Sequence, residues 1–274
     1  MKRSVFLLGL LAAFFSAAAW AHEFWMESQP AVVQAGGSAL LKLEVGEYFE
    51  GSQAGFSGTH TAAMRHYHGD ETDDLVKRLP ADGTLPVFGL PALQPGTHLI
   101  AYDSQPSLIT LAPDKFHAYL HDEGLDAIIR QREASGTAAL PGRERYRRNV
   151  KHLLRAGGQS DATYAVRAGQ RLEIVPLSDP YAKRPGDTLA FQLLFDGRPL
   201  AGALVKAWHK RSGQTTLARV RTDQGGKAAV NLPYAGVWML SVVHMIKAVD
   251  TKEADWDSFW GNLTFSLGGQ APAQ

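Results

Sequence analysis

The chain has 274 residues, 45% of them hydrophobic and 20% charged, which is enough to bury a core and too apolar for a wholly disordered protein. With 28 basic and 27 acidic residues the net charge is +1, so no global basic excess exists to drive nucleic-acid binding. The absence of cysteine excludes disulfides, thiolate metal sites, iron–sulfur clusters and a Cys nucleophile, and leaves ten histidines as the unusual feature.

The chain opens with the basic head Met1-Lys2-Arg3 and an apolar run from Ser4 to Ala19. Ala19-Trp20-Ala21 then places small residues where a signal peptidase reads, so residues 1–21 are expected to be a secretory signal peptide. A secreted chain without cysteine reads as periplasmic. No later segment is long and apolar enough to span a membrane, so no membrane span is expected once the signal is removed. Cleavage after Ala21 makes His22 the new amino terminus, where an α-amine and an imidazole sit in one chelate ring. Cleavage after Ala19 would instead leave His22 third, an end suited to square-planar copper or nickel.

Residues 22–168 read as a first, β-rich domain carrying two helices. Ala39 to Val45, Leu99 to Tyr102 and Leu108 to Leu111 are expected strands, and Gly46 to Gly58 an aromatic loop. The spacing of Phe116, Tyr119, Leu120, Leu125, Ile128 and Ile129 predicts a helix over 114–134, interrupted at Gly124. Tyr146, Val150, Leu153 and Leu154 suggest a second helix over 143–155 with a basic outer face. Residues 169–267 carry strands about every ten residues: Thr188 to Phe195, Ala203 to His209, Thr216 to Arg221, Lys227 to Leu232, Gly236 to Ile246 and Gly261 to Leu267. That rhythm reads as an antiparallel sandwich of immunoglobulin or transthyretin type. The fold class is therefore mainly β, two β-sandwich-like domains, with a loose polar tail at 268–274.

Imidazole nitrogens suit zinc, copper, nickel and cobalt. His66 and His68 flank Tyr67 in a short run, Ala63 to His68. On a strand both imidazoles would point to one face, ~6.5–7 Å apart along the backbone. Asp70 and Glu71 follow and would add oxygen ligands, and His60 sits in a nearby Gly/Thr loop. His117 and His121 share a helical face. His244 alternates with Trp238, Leu240, Val242 and Ile246, either as a core histidine or as a second imidazole meeting His22. His98, His152 and His209 read as surface or structural. The metal candidates are therefore His22, His244, His66 and His68.

The chain resembles a bacterial family of secreted proteins of unassigned function, often associated with nickel/cobalt uptake systems as their periplasmic component. The resemblance covers nearly the whole mature chain. It rests on Ala21-His22-Glu23-Phe24-Trp25, Glu123-Gly124-Leu125, Arg143-Glu144-Arg145-Tyr146-Arg147-Arg148, Leu172-Glu173-Ile174, Trp238, His244-Met245 and Asp255-Trp256. It implies a divalent transition metal, nickel or cobalt and by chemistry copper, with components of a metal-transport system as partners. No Gly-x-Ser-x-Gly elbow, His-Glu-x-x-His or phosphate-binding loop is present. An amino-terminal His on a β-sandwich also resembles the copper site of lytic polysaccharide monooxygenases. Two alternatives thus stand beside a metal carrier: a copper-dependent oxidative enzyme, with Trp256 and Trp260 as a substrate face, and a metal-free adhesion or scaffold module.

Overall fold

A computed structural model describes residues 23–211 and 214–268. His22 lies outside the described residues, as do the expected signal peptide and the end of the polar tail. In chain order the strands begin β1 (Glu23–Gln29), β2 (Val32–Val33), β3 (Ala39–Glu47), β4 (Glu50–Ala54), β5 (Thr61–His68), β6 (Glu71–Asp74), β7 (Phe88–Leu90), β8 (Gly96–Ser104) and β9 (Ser107–Leu111). Helices α1 (Pro113–Asp122) and α2 (Asp126–Ala134) follow, then β10 (Gly142–Ala156) and β11 (Leu172–Pro176). The remaining strands are β12 (Thr188–Phe195), β13 (Arg198–Pro199), β14 (Leu204–Arg211), β15 (Gln214–Arg221), β16 (Lys227–Asn231), β17 (Gly236–Lys247) and β18 (Trp256–Leu267).

A ten-stranded sheet runs in the order β15-β14-β17-β18-β10-β8-β5-β6, with β2 and β9 also paired to β10. One small sheet, β1-β3-β4 with β7, packs on one face of it, and a second, β11-β12-β13 with β16, packs on the other. On the first face Val150 and Leu154 of β10, Ile100 of β8 and Met64 of β5 meet Phe24, Met26 and Leu41. On the opposite face Leu153, Leu240, Phe259 and Phe265 meet Ile174, Leu189 and Phe191. Strand β18 is buried along its whole length, and polar side chains on it find partners inside: Asp257 with Arg145, Ser258 with Glu144, Asn262 with Phe24 O and Thr264 with Met26 O. β10 pairs in parallel with β18 from Glu144 to His152, so the two sandwiches share one sheet.

The chain is mainly β, with the two sandwich-like packings expected. The strands expected beyond Thr188 lie close to where the Gly-marked turns put them, and no helix falls between Thr188 and Leu232 among the described residues. Gly46 to Gly58, expected as loop, includes β4, hairpinned onto β3. The interruption at Gly124 is real: its φ of +67° ends α1, and α2 restarts at Asp126. Both helices pack on the face of the large sheet that also carries β1, where Phe116, Leu120 and Ile128 meet Val243, Met245, Trp256 and Trp260. Gly142 lies directly beneath the Phe116 ring, and a Cβ there would run into ring carbons. We expect Gly142→Ala to cost about 1–3 kcal/mol by forcing this buried ring aside, measurable as a lowered urea midpoint with an unchanged slope.

The second expected helix is a correction. Residues 143–155 lie inside β10, a 15-residue strand paired with β8, β9, β18 and β2. The stripe of Tyr146, Val150 and Leu154 fits a period of two as well as a helical one. The deciding signal was the arginines at every second position. Arg143 forks onto Asp255 (2.7 and 3.0 Å), and Arg145 onto Asp257 in the same way. Arg147 reaches Asp257 at 3.3 Å. These are contacts to one neighbouring strand and its approach, which a helix would have spread around its surface.

Candidate metal centre

Strand β5 alternates, as the His-x-His spacing required. Met64, His66 and His68 point to the face where the first small sheet packs, while Tyr67 packs on the opposite core. The two histidines therefore continue an apolar stripe to the end of the strand, where the core runs out. A two-residue loop, Gly69-Asp70, with Gly69 at φ +55°, then folds β6 back antiparallel. That register sets Asp73 opposite His66 and Glu71 opposite His68, and cross-strand partners share a face.

On the other side of β5, strand β8 brings in His98, fully buried and stacked on both neighbours. Ring centroids lie 4.2 Å from His68 and 5.0 Å from His66. His66 Nε2 and His98 Nδ1 share a hydrogen bond of 2.8 Å. The Gln94 carbonyl accepts from His98 Nε2 at 2.9 Å, and the Thr97 carbonyl accepts from His68 Nδ1 at 3.0 Å. His66 Nδ1 faces Asp73 Oδ2 at 3.7 Å, and that carboxylate is well exposed. Leu75, Leu90 and Leu93 floor a cleft of about 220 Å³ that these three histidines, Glu71, Asp73 and Arg78 also line.

Burial holds His66 neutral, pushing it down to about 4, with His98 acting in the same direction and Asp73 against it. His98 is likewise lowered by burial, against the hydrogen bond to Gln94. Nearby, Asp161 accepts from Thr97 N and Thr163 N. Burial acts to raise its pKa, but those hydrogen bonds outweigh it and hold the carboxyl below the usual range. The cleft thus sets imidazole nitrogens beside carboxylate oxygens, a donor mixture suited to nickel, cobalt, copper or zinc. As the side chains stand, no three donors among the described residues are gathered closely enough to hold an ion.

Of the four residues singled out from sequence, His66 and His68 are brought together and His244 is elsewhere. His244 lies on β17 facing the second small sheet, edge-on to Phe195 at 4.4 Å, and burial pushes it down to about 4. Glu23, the first described residue, accepts from Ser241 on the opposite face of β17. His117, His121, His60 and Asp70 are exposed, outside the cleft. His98, read from sequence as surface or structural, belongs to the cluster, and so does Asp73. Trp256 and Trp260 are buried under α1 and α2 and form no exposed substrate face.

No helix among the described residues is long and apolar enough to cross a membrane. No curated protein matches the chain. Among solved structures, it is similar at 12% identity to Escherichia coli alpha-2-macroglobulin activated by porcine elastase, over 88% of this chain and 23% of that one, with a TM-score of 0.20. The three N-terminal domains of the bacteriophage RB49 outer capsid protein Hoc give 8% identity over 89% of this chain and 59% of that one, with a TM-score of 0.16. Dimeric latent PorU from Porphyromonas gingivalis gives 10% over 94% of this chain and 21% of that one, with a TM-score of 0.19. This chain spans less than two thirds of each, and scores this low say nothing about its function. The family described as a domain of unknown function, DUF4198, matches residues 19–246, and the chain belongs to that family.

Proposed function

We propose that this is a periplasmic metal-binding accessory protein that captures a divalent transition metal, nickel, cobalt or copper, and hands it to an uptake system. One observation carries the reading. His66 and His68 each commit one ring nitrogen to a partner behind them, while a carboxylate stands opposite each on the neighbouring strand. Ligating histidines are commonly held in this way, with the second nitrogen fixed by an outer partner. The resemblance to metal-uptake proteins supports the same reading. The residues that would hold the ion are His66 and His68, with Asp73 and Glu71 as oxygen donors.

Calorimetric titration of metal-stripped mature protein with nickel and copper tests it. The double substitution His66→Ala/His68→Ala is expected to weaken binding at least tenfold, and His244→Ala to leave it unchanged. His22→Ala reads out any separate site at the processed terminus. Wild-type affinity in the double variant would remove the cleft as the binding site.

A further inference from the structure

Proton positions around the cleft follow from the backbone. A carbonyl oxygen has no hydrogen to give, so the bond between His98 Nε2 and Gln94 O places the hydrogen on His98 Nε2. A neutral imidazole carries one N–H, so His98 Nδ1 is a lone pair. That lone pair faces His66 Nε2 at 2.8 Å, so the hydrogen of this second bond sits on His66 Nε2. His66 Nδ1 is then itself a lone pair, and what it faces, 3.7 Å away, is the carboxylate of Asp73. Two acceptors confront each other there with no hydrogen between them. By the same rule Thr97 O fixes the hydrogen of His68 on Nδ1 and leaves His68 Nε2 as a lone pair.

We propose that His98 is the positioning residue of the cleft: it relays the Gln94 carbonyl into a single tautomer of His66, so that a divalent cation is bound through His66 Nδ1 and His68 Nε2. This rests on the metal reading above and adds to it the ligating atoms and a division of roles. Asp73 is the oxygen donor opposite His66. Metal bonds of about 2.0–2.2 Å to nitrogen and to oxygen span a 3.7 Å gap with a bend at the ion. His98 touches no ion, because both its nitrogens are already engaged. Three histidines so close would otherwise suggest a three-imidazole site, and the hydrogen-bond directions argue against one.

The test is long-range proton–nitrogen correlation on nitrogen-15-labelled mature protein, before and after zinc ion is added as a diamagnetic probe. Before zinc, His66 and His98 are expected as Nε2–H tautomers and His68 as Nδ1–H. Zinc is expected to move His66 Nδ1 and His68 Nε2 most and to leave both nitrogens of His98 nearly in place. His98→Leu should weaken zinc binding about 10–100-fold. His98→Asn, whose amide oxygen stands near the place of Nδ1, should keep most of the affinity. An Nδ1–H tautomer for His66 in the wild-type protein would overturn the proposal without relying on any variant's folding. So would zinc shifts centred on His98, or unchanged affinity in a folded His98→Leu protein. Zinc that moves none of these nitrogens would sink the metal reading as well, whichever tautomers the metal-free protein shows.

Discussion

Lys151→Ala is expected to destabilise the protein by about 3–5 kcal/mol, the usual cost of stripping one partner from a buried ion pair. Lys151 lies on β10 in the middle of the large sheet and is fully buried. Its Nζ donates to Glu173 Oε1 at 2.7 Å, Val166 O at 2.9 Å and Ile174 O at 3.3 Å. Burial lowers the lysine pKa, and Glu173 opposes that shift. Glu173 sits on β11 and also accepts from Ala168 N at 2.6 Å and Gly169 N at 3.2 Å. The pair therefore fastens the second small sheet to the shared one at the point where the chain passes between sandwiches. Removing the ammonium leaves a buried carboxylate with only two amide donors. Lys151→Met should be nearly as damaging, since the charge on Glu173 remains. The double variant Lys151→Met/Glu173→Leu should recover a large part of the loss, because the uncompensated charge is gone. Thermal unfolding followed by circular dichroism reads all three, and a loss of under 1 kcal/mol in Lys151→Ala would show that the pair adds nothing.

The strands that were legible in the sequence are those set off by turn residues, and two of them, β12 and β16, also alternate between buried and more exposed positions. β10 was not, because its stripe of Tyr146, Val150 and Leu154 satisfies two periods at once and its middle, from Val150 to Leu154, is buried on both faces. Tertiary pairing decided between helix and strand there, and the local trace of that pairing is the alternation of Arg143, Arg145 and Arg147. Half of the candidate site was legible. His66 and His68 read as one face of a strand, but the hairpin at Gly69-Asp70 that puts Asp73, rather than Asp70, across from His66 was not read. His98 was not legible, because it joins His66 across 32 residues through the β5–β8 pairing alone. The expectation for His244 foresaw its apolar face, but periodicity carries no information about which side of a shared sheet the amino-terminal strand covers.

Acid sensitivity is the second large effect expected. His152 is buried between the sheets, with Nδ1 donating to Thr264 Oγ1 at 2.8 Å and Nε2 buried without a partner. Burial alone pushes its pKa from 6.5 down to about 3. Between those values the unfolded chain binds a proton that the folded protein refuses, so stability falls as pH drops through that window. Each such group contributes about 1.4 kcal/mol per pH unit at most. His66 and His244, both held near 4 and buried chiefly to that effect, act in the same direction. Glu123 acts in the other. Burial raises it from 4.5 to about 7 against the pull of Lys206, whose Nζ donates to it at 2.7 Å. Its folded form holds a proton that the unfolded chain has released, so its contribution is lost as pH rises from 4.5 to about 7. Glu23, Glu44, Asp103 and Glu144, raised by burial, act with Glu123, and His98 acts with the other histidines, so the acid limb between pH 4 and about 6.5 is a balance in which His152 and Glu123 pull in opposite directions. His152→Leu should flatten the acid limb, since the desolvated nitrogen is removed and Thr264 still donates to Met26 O. Glu123→Gln should steepen that limb. Melting curves of the three proteins across pH 4 to 8 separate the two contributions, and an acid limb in His152→Leu as steep as in wild type would assign the acid loss to other groups.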